Sequence, residues 1–280
     1  LGNESGVGAN NAARASWVKD YDPTRLVHFE AYMHNGGSRQ YGYGIDFMKT
    51  NRPAVNPPEP PAVDVVSTMY PSVEGIIKLA TQEGETRPVL MCEYAHAKGN
   101  ALGNHQEYWN AVKKYPRLIG GYIWDWVDQS FREIDNSNGK WYWTYGGDYG
   151  PKDVPSFGNF CCNGLIGADR VPHPHLLEVK KQYQYIKSNL IDAKKLKLSI
   201  KNWYDFTDLN AFTLHWSVTG DNGTVLAKGE KVVDCTPHAT AELVLGQVKL
   251  PTNIREAYLT LSWTPREELP FRGKDFEVAY

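Results

Sequence analysis

The chain has 280 residues, of which 41% are hydrophobic and 22% are charged, a balance typical of a globular protein in water. Its formal net charge of −2 gives no reason to expect a nucleic acid or an anionic membrane as the partner. The sequence contains no apolar stretch that is long enough to cross a bilayer. This length allows one large domain or two domains of ordinary size.

The beginning of the chain is predicted to be the end of a strand, which runs into the carboxylate Glu4. There is no initiator Met and no signal peptide, so we expect the chain to be a piece of a longer protein. A cytoplasmic protein is expected, and a periplasmic one is the alternative because a targeting segment could lie upstream.

Up to about residue 186, strand-like and helix-like stretches alternate, as they do around a parallel sheet. Apolar residues at helical spacing predict helices at 8–20, 73–82 and 106–115. Short apolar runs predict strands at 1–4, 26–30, 64–70, 88–93 and 120–127. The segment 32–61 is rich in Gly, Asn, Tyr and Pro and is predicted to be a long loop.

These five strands favour an interpretation as strands 4 to 8 of a (β/α)8 TIM barrel, over residues 1–186. Polar residues repeatedly follow the carboxyl ends of the strands, where such barrels carry their sites. An open doubly wound sheet is the alternative, but no Gly-rich phosphate-binding loop follows any of the strands. Because five strands cannot close a barrel, we expect the first three strands upstream of Leu1.

Residues 187–280 are predicted to form an immunoglobulin-like β-sandwich. Segments 195–201 and 212–218 alternate apolar and polar residues with a period of two, and turn signals follow at 220–223. Further short strands are predicted at 225–227, 240–245 and 256–263. Short alternating strands separated by turns are typical of an all-β sandwich.

The four cysteines are Cys92, Cys161, Cys162 and Cys235. The adjacent pair does not match the spacing of zinc ligands. We therefore expect all four to be reduced thiols that pack as small hydrophobic side chains.

Two carboxylates, Glu4 and Glu93, follow apolar strands and precede loops of small residues. A carboxylate in such a place is costly unless it has a partner or a function. Two carboxylates about 5 Å apart can cleave a glycosidic bond with retention, one as nucleophile and the other as acid and base. Asn3 directly precedes Glu4, and its amide could bind a sugar hydroxyl. A glycosidase site is therefore one interpretation, and ordinary surface glutamates are the other.

Longer motifs make the first interpretation specific. They are the segments 1–6 (LGNESG), 84–88 (GETRP), 92–97 (CEYAHA) with Gly99 and Asn100, 115–118 (YPRL), 120–129 (GGYIWDWVDQ), 145–148 (YGGD), 163–165 (NGL), 168–170 (ADR) and 172–174 (PHP). In these segments the chain resembles the large bacterial β-galactosidases of glycoside hydrolase family 2. The resemblance covers the first domain, and the β-sandwich falls where the family has one.

The resemblance implies a role for individual residues. Glu93 corresponds to the nucleophile and Glu4 to the general acid and base. Tyr70 corresponds to a tyrosine that hydrogen-bonds the nucleophile, His96 to a histidine that contacts the galactose, and Trp124 to an aromatic platform under the sugar. Without the resemblance, each of the last three would be interpreted as an ordinary packed side chain.

The resemblance also implies two metal ions and an oligomer. Glu4 corresponds to a magnesium ligand, and the other protein ligands of that ion are expected upstream. Phe160, through its backbone carbonyl, and Asn163 correspond to ligands of a sodium ion near the sugar. The full-length protein is expected to be a homo-oligomer, and the isolated chain is expected to be inactive.

Several features depart from the family or leave alternatives open. Val7 stands where close relatives often carry a polar residue, and the loop at 35–61 also differs. Glu30 is interpreted equally well as a structural carboxylate or as a sugar contact. Residues 138–140 (NGK) match a motif that β-glucuronidases of the family use, but 135–139 (DNSNG) favours a hairpin turn. A β-glucuronidase, a β-mannosidase or an inactive binding fragment therefore remains an alternative.

Overall fold

The computed structural model describes residues 9–29, 63–270 and 272–280, and all structural statements refer to these residues. The chain divides into two compact units, of which the first ends at Glu178 and the second runs from Val179 to Tyr280. The domain boundary drawn at residue 186 lies a little further along the chain and stays a prediction. None of the helices in the described residues is long and apolar enough to cross a bilayer.

The first unit contains helices, parallel strands and one hairpin. Its elements are α1 (Ala9–Tyr21), β1 (Val66–Met69), α2 (Val73–Ala80), β2 (Val89–Tyr94), α3 (His105–Lys114), β3 (Leu118–Ile123), β4 (Phe131–Ile134), β5 (Trp141–Thr144) and a 3₁₀ helix (Gly158–Cys161). Helix α4 (Leu176–Tyr183) follows and continues into the second unit.

Strands β1, β2 and β3 form a parallel sheet in sequence order, with α2 and α3 as the crossovers. Both helices are amphipathic, and the Ser72 hydroxyl caps α2 by accepting a hydrogen bond from the Gly75 amide at 3.1 Å. A hydrophobic core joins the helices to the sheet. Its buried members include Ile76, Leu79, Val89, Met91, Ala111 and Leu118. The core explains why these elements were predictable from apolar spacing alone.

The backbone beyond β3 continues the parallel arrangement. The Asp125 amide donates to the Asn163 carbonyl at 3.0 Å, and the Ile166 amide donates to the Trp126 carbonyl at 3.1 Å. Val127 and Ile166 form a parallel bridge. Segment 163–166 therefore lies beside 125–128 and runs in the same direction.

Before β1, the predicted strand at 26–30 is not formed as a regular strand over its described residues, 26–29. One backbone hydrogen bond, from the Asp64 amide to the Val27 carbonyl at 2.9 Å, joins this segment to the start of the sheet. Leu26 is exposed, whereas the side chains of Val27 and Phe29 are buried. The segment therefore packs against the protein without the regular hydrogen bonds of a strand.

Strands β4 and β5 form an antiparallel hairpin around residues 135–140. The Asp135 carboxylate accepts from the Ser137 amide at 2.8 Å, and the Asp135 carbonyl accepts from the Gly139 amide at 2.8 Å. Gly139 has φ +71°, a left-handed conformation that suits glycine. The hairpin turn predicted at 135–139 is therefore confirmed.

The second unit is a β-sandwich of two antiparallel three-stranded sheets. Its strands are β6 (Ile186–Asp192), β7 (Lys197–Asn202), β8 (Phe212–Gly220), β9 (Val225–Lys231), β10 (Thr240–Val244) and β11 (Ala257–Pro265). One sheet has the order β10-β7-β6, and the other has the order β11-β8-β9. The immunoglobulin-like topology stays a prediction.

Both sheets bury alternate residues in one core. Leu198 and Ile200 come from the first sheet, and Leu214 and Trp263 come from the second. The Trp263 indole N–H reaches across to the Ser188 hydroxyl at 3.2 Å, so the buried polar atom is satisfied. The apolar residues that alternate with a period of two in the sequence are therefore those on the inner faces of this sandwich.

Candidate active site

The carboxyl ends of the three parallel strands carry most of the predicted site residues. Tyr70 directly follows β1, Glu93 lies at the end of β2, and Trp124 directly follows β3. His96 lies two residues beyond β2. Because parallel strands end at the same edge of a sheet, these four residues lie along one edge.

Glu93 is the buried acidic residue at this edge, with 8% of its surface exposed. The Tyr70 hydroxyl donates a hydrogen bond to its Oε2 at 2.9 Å, and the Tyr70 amide donates to its carbonyl at 2.8 Å. A buried carboxylate needs such donors, because leaving it without partners is costly. The predicted pair of tyrosine and carboxylate is therefore brought together by the fold.

The backbone around Glu93 is irregular on both sides. Register shifts occur between Thr68 and Met69 on one neighbouring strand, and between Met91 and Tyr94 against the other. Tyr70 and Ala95 have φ values of 45° and 50°, a region that residues with a side chain rarely adopt. Bulges and strained residues of this kind commonly aim side chains into functional sites.

His96 lies between Tyr70, on the strand edge, and the segment from Gly158 to Asn163, which forms a second wall of the site. Its ring centroid is 5.9 Å from that of Tyr70 and 5.4 Å from that of Phe160. Its Nε2 atom is buried and has no hydrogen-bonding partner among the described residues. Burial, helped by the charge of Lys98 and opposed by that of Asp125, lowers the pKa of His96. A neutral imidazole nitrogen is thus left for a ligand.

Asp125 was not singled out from the sequence, yet it belongs to the same edge. Its Oδ2 accepts from the Gln129 side chain at 3.0 Å, while its buried Oδ1 has no partner within the described segments. Burial raises the pKa of Asp125, Asp128 raises it further, and Gln129 and His96 oppose the shift. The available signal was its place in the Trp-Asp-Trp run immediately after a strand.

The second wall is the segment from the 3₁₀ helix to Asn163. Asn163 is 2% exposed, and its side-chain Oδ1 has no partner in the part of the chain that the structure describes. The Lys98 ammonium donates to the Asn159 carbonyl at 2.5 Å and to its side-chain Oδ1 at 2.9 Å. It also lies 5.7 Å from the centre of the Phe160 ring. Lys98 therefore ties this wall to the loop after β2.

Two of the predicted site residues cannot be placed. Asn3 and Glu4 lie outside the described residues, and so do Val7, Glu30 and the loop at 32–61. Trp124 is placed by its backbone, whose amide donates to the Tyr94 carbonyl at 3.1 Å and whose carbonyl accepts from Ala97 at 2.6 Å. Its indole is partly exposed at the edge of the sheet.

Comparison with known families agrees with this geometry. The family described as glycosyl hydrolases family 2, TIM barrel domain, matches residues 1–188. The chain belongs to glycoside hydrolase family 2. A second family, described as β-galactosidase domain 4, matches residues 198–280. The predicted resemblance is therefore confirmed, and the first unit is TIM-barrel sequence.

Relatives of this glycoside hydrolase family 2 chain include β-galactosidases from Klebsiella pneumoniae (strain 342), 37% identical, and Psychromonas ingrahamii, 39% identical. Both matches cover 100% of this chain and 26% of the relative, so the chain spans about a quarter of their length. Among solved structures, a Bacteroides uniformis β-glucuronidase is 13% identical with a TM-score of 0.38, covering 92% of this chain and 30% of the other. A putative β-galactosidase from Bacteroides fragilis is 13% identical with a TM-score of 0.35, covering 91% and 38%.

The same family 2 unit has a cavity of about 520 Å³ that is open to solvent. Its lining includes Asp128, Cys162, His173 and His175. The Asp128 carboxylate accepts from the Gly164 amide at 2.8 Å and pairs with the His173 ring at 2.9 Å. These contacts hold the segment that follows Asn163 against the strand edge.

Under the glycosidase function proposed below, Lys98→Met is expected to raise KM for a glycoside about three- to ten-fold in the full-length protein, with a smaller effect on kcat. Two charge-assisted hydrogen bonds to Asn159 are lost, and the wall that carries Phe160 and Asn163 becomes less well ordered before the sugar binds. The measurement is steady-state kinetics on an aryl glycoside. Lys114→Met is the matched control, because its ammonium lies 5.4 Å from the Tyr115 ring, away from the site. An unchanged KM for Lys98→Met would contradict the role of Lys98.

A buried histidine lies beneath the nucleophile strand. Trp109 Nε1 donates to the Tyr94 hydroxyl at 2.9 Å, and the same hydroxyl lies within hydrogen-bonding distance of His105 Nε2, 3.1 Å away. His105 is 1% exposed. Burial lowers the pKa of His105 to about 4, with a small opposing effect from Glu178. In the folded state the ring therefore stays neutral down to acidic pH.

Acid is expected to destabilise the first unit through His105. Between pH 6.5 and pH 4 the unfolded chain binds a proton that the folded chain does not, so the free energy of unfolding falls as pH falls. The full effect is about 3 kcal/mol, of which about 2 kcal/mol is lost between pH 7 and pH 5. Urea unfolding at both pH values should show a smaller loss in His105→Gln than in wild type. Equal losses in wild type and in His105→Gln would refute the assignment.

Proposed function

We propose that the full-length protein is a retaining glycoside hydrolase that cleaves terminal non-reducing β-D-galactosides. The observation that carries the proposal is the buried carboxylate Glu93 at a strand end, with the Tyr70 hydroxyl donating to it. The β-galactosidases among the relatives support galactose as the sugar.

Glu93 is the nucleophile in this proposal. Its carboxylate oxygen attacks the anomeric carbon, the bond from that carbon to the leaving oxygen breaks, and Glu4 donates a proton to that oxygen. Water, deprotonated by Glu4, then attacks the same carbon and releases Glu93. Tyr70 fixes the orientation of the Glu93 carboxylate through the bond at 2.9 Å.

The sugar is held by groups from three strand ends. His96 offers a buried ring nitrogen without a partner among the described residues, as expected of a hydrogen bond reserved for a sugar hydroxyl. Trp124 offers a partly exposed indole as an apolar platform for the sugar ring. Asn3 is proposed to bind a hydroxyl next to the anomeric carbon.

A sodium ion is proposed to bind the Phe160 carbonyl and the Asn163 side chain. The buried Asn163 Oδ1, without a partner in the described segments, suits an alkali cation, because such ions prefer neutral and anionic oxygen ligands. The ion would supply a fixed positive charge for a sugar hydroxyl. Within the described residues no group of three His, Cys, Asp or Glu could hold a metal. A magnesium ion is proposed at Glu4 with ligands elsewhere in the longer protein.

Three further points belong to the same proposal. The segments predicted as strands at 1–4, 26–30, 64–70, 88–93 and 120–127 are strands 4 to 8 of the barrel, and the sandwich is immunoglobulin-like. The full-length protein is a cytoplasmic homo-oligomer that acts without nucleic acid or membrane. The isolated chain is inactive, because three barrel strands and most magnesium ligands are elsewhere.

The β-glucuronidase alternative rests on residues 138–140, and their contacts favour the hairpin turn. The Asn138 side chain bonds Asp135 through its amide nitrogen at 2.5 Å and the Lys140 amide through its oxygen at 2.8 Å. The Asn138 side chain is therefore part of the turn, which supports the hairpin interpretation of this segment. The β-mannosidase and binding-fragment alternatives have no comparable observation.

Kinetics on matched nitrophenyl glycosides test the function. The full-length protein should hydrolyse the β-galactoside with kcat/KM at least about 10²-fold above those for the β-glucuronide and β-mannoside, since the hydroxyl pattern is read by buried polar groups. A preference for either other sugar would overturn the galactoside assignment. Turnover by the isolated chain would overturn its proposed inactivity.

Glu4→Gln is expected to slow glycosides with poor leaving groups about 10²- to 10⁴-fold and activated aryl glycosides much less. Good leaving groups need little protonation, so activated aryl glycosides should still form the glycosyl-enzyme at nearly the normal rate. Azide should restore turnover, because it attacks the intermediate without a base. Kinetics at saturating magnesium separate this effect from loss of the metal. Equal losses for all leaving groups, without azide rescue, would exclude Glu4 as the acid and base.

A further inference from the structure

Two adjacent cysteines lie in the second wall of the site, and the mechanism does not use them. Cys161 ends the 3₁₀ helix, and Cys162 follows it, between Phe160 and Asn163. Both are free thiols with partly exposed side chains. We propose that Cys161 and Cys162 form a vicinal dithiol site that binds trivalent organic arsenicals.

The local backbone holds the two thiols in place. The Cys162 amide donates to the Asn159 carbonyl at 3.0 Å, and the Cys161 thiol lies 3.9 Å from the Gly158 carbonyl. Cys162 lines the cavity of about 520 Å³, so there is room for a small organic group on the arsenic.

Geometry favours a bridging atom over a disulfide between these residues. Adjacent Cα atoms are about 3.8 Å apart across a trans peptide. Disulfides usually join Cα atoms about 4.4–6.8 Å apart, so a direct bond would strain the backbone. An arsenic atom between the two sulfurs lengthens the link and relieves this strain.

The binding step is a condensation without a change of oxidation state. A trivalent arsenic oxide, R–As=O, reacts with two thiols, and two As–S bonds replace the As–O double bond. The two S–H bonds break, and their protons leave with the oxygen as one water molecule. The remaining cysteines differ, because Cys92 and Cys235 each have no neighbouring cysteine in the sequence.

Occupation of the dithiol should also reach the sugar site. Phe160 packs 5.4 Å from the His96 ring, and the Asn163 backbone pairs with that of Asp125. An arsenic atom bound to Cys161 and Cys162 would shift Phe160, Asn163 or both. We therefore expect it to inhibit glycoside hydrolysis. The inhibition rests on the proposed function, whereas binding does not.

Phenylarsine oxide and the reduced full-length protein test the site. Mass spectrometry should find one phenylarsenic group on the peptide that contains residues 161 and 162. Binding should be at least about 10²-fold weaker in Cys161→Ser and in Cys162→Ser, because the second thiol no longer acts at high effective concentration. Cys92→Ser is the control and should bind like wild type.

Two measurements keep the result independent of folding and of activity. In the wild-type protein, 2,3-dimercaptopropanol should remove the adduct, while a monothiol at the same thiol concentration should not. Absence of an adduct on this peptide, or equal binding by the serine variants, would overturn the proposal. Loss of the adduct in active serine variants would support it, and an inactive wild type that still forms the adduct would refute only the glycosidase function.

Discussion

Replacing Glu93 by Gln is expected to lower kcat for an aryl galactoside by at least about 10⁴-fold, the order of loss seen when a covalent nucleophile is removed from a hydrolase. The amide cannot form the glycosyl-enzyme, because it lacks the nucleophilic carboxylate. It has nearly the same shape and can still accept the hydrogen bond from Tyr70, so the fold should persist.

Steady-state kinetics with circular dichroism of the folded protein measure this effect. Glu107→Gln is the matched control, because Glu107 is exposed in the first turn of α3 and should leave kcat unchanged. A Glu93→Gln variant within ten-fold of wild type would exclude Glu93 as the nucleophile.

Gly164→Ala is expected to destabilise the first unit by roughly 3 kcal/mol or more. A Cβ atom at Gly164 would lie 2.3 Å from the Asp128 nitrogen, 2.4 Å from the Val127 carbonyl carbon and 2.6 Å from the Ile166 oxygen. All three are backbone atoms, so no side chain can move aside. The strand edge that holds Asn163 would have to shift.

Thermal unfolding measures the cost, which corresponds to a fall in Tm of roughly 6 °C or more. Gly103→Ala is the matched control, since a Cβ there meets nothing within 4 Å. The control should unfold within about a degree of wild type. A similar Tm for both variants would show that the backbone around Gly164 has room to relax.

The helices of the first unit could be predicted because the apolar residues that recur at helical spacing are those that pack against the sheet. Helices predicted at 73–82 and 106–115 are found at Val73–Ala80 and His105–Lys114. The strand predicted at 120–127 instead runs from Leu118 to Ile123. Beyond it the chain pairs with 163–166, and this change of partner has no local signal.

Other elements were missed for physical reasons. The hairpin strands β4 and β5 expose most of their side chains, including Phe131, Ile134 and Trp141, so burial imposes no alternation. Strand β6 begins at Ile186, the position of the domain boundary predicted from the sequence. The adjacent residues Leu190 and Ile191 of this strand are both exposed, so apolar and polar residues do not alternate along it.

The site was predictable only in part. Glu93 was identified by its place after an apolar strand, whereas its role and Tyr70 came from the resemblance. The fold brings the two within hydrogen-bonding distance. Lys98 was missed because its partner, Asn159, is 61 residues away along the chain. Asp125 was missed although its position after a strand is a local signal.

Covalent trapping tests the central claim, that Glu93 is the nucleophile of a retaining galactosidase. The full-length protein is treated with an activated 2-deoxy-2-fluoro galactoside, which slows release of the glycosyl-enzyme, and the labelled peptide is sequenced by mass spectrometry. We predict a single fluorogalactosyl group on Glu93, in the segment Val89–Tyr94. A label on a different carboxylate, or turnover that inverts the anomeric carbon with no labelled intermediate, would contradict the claim.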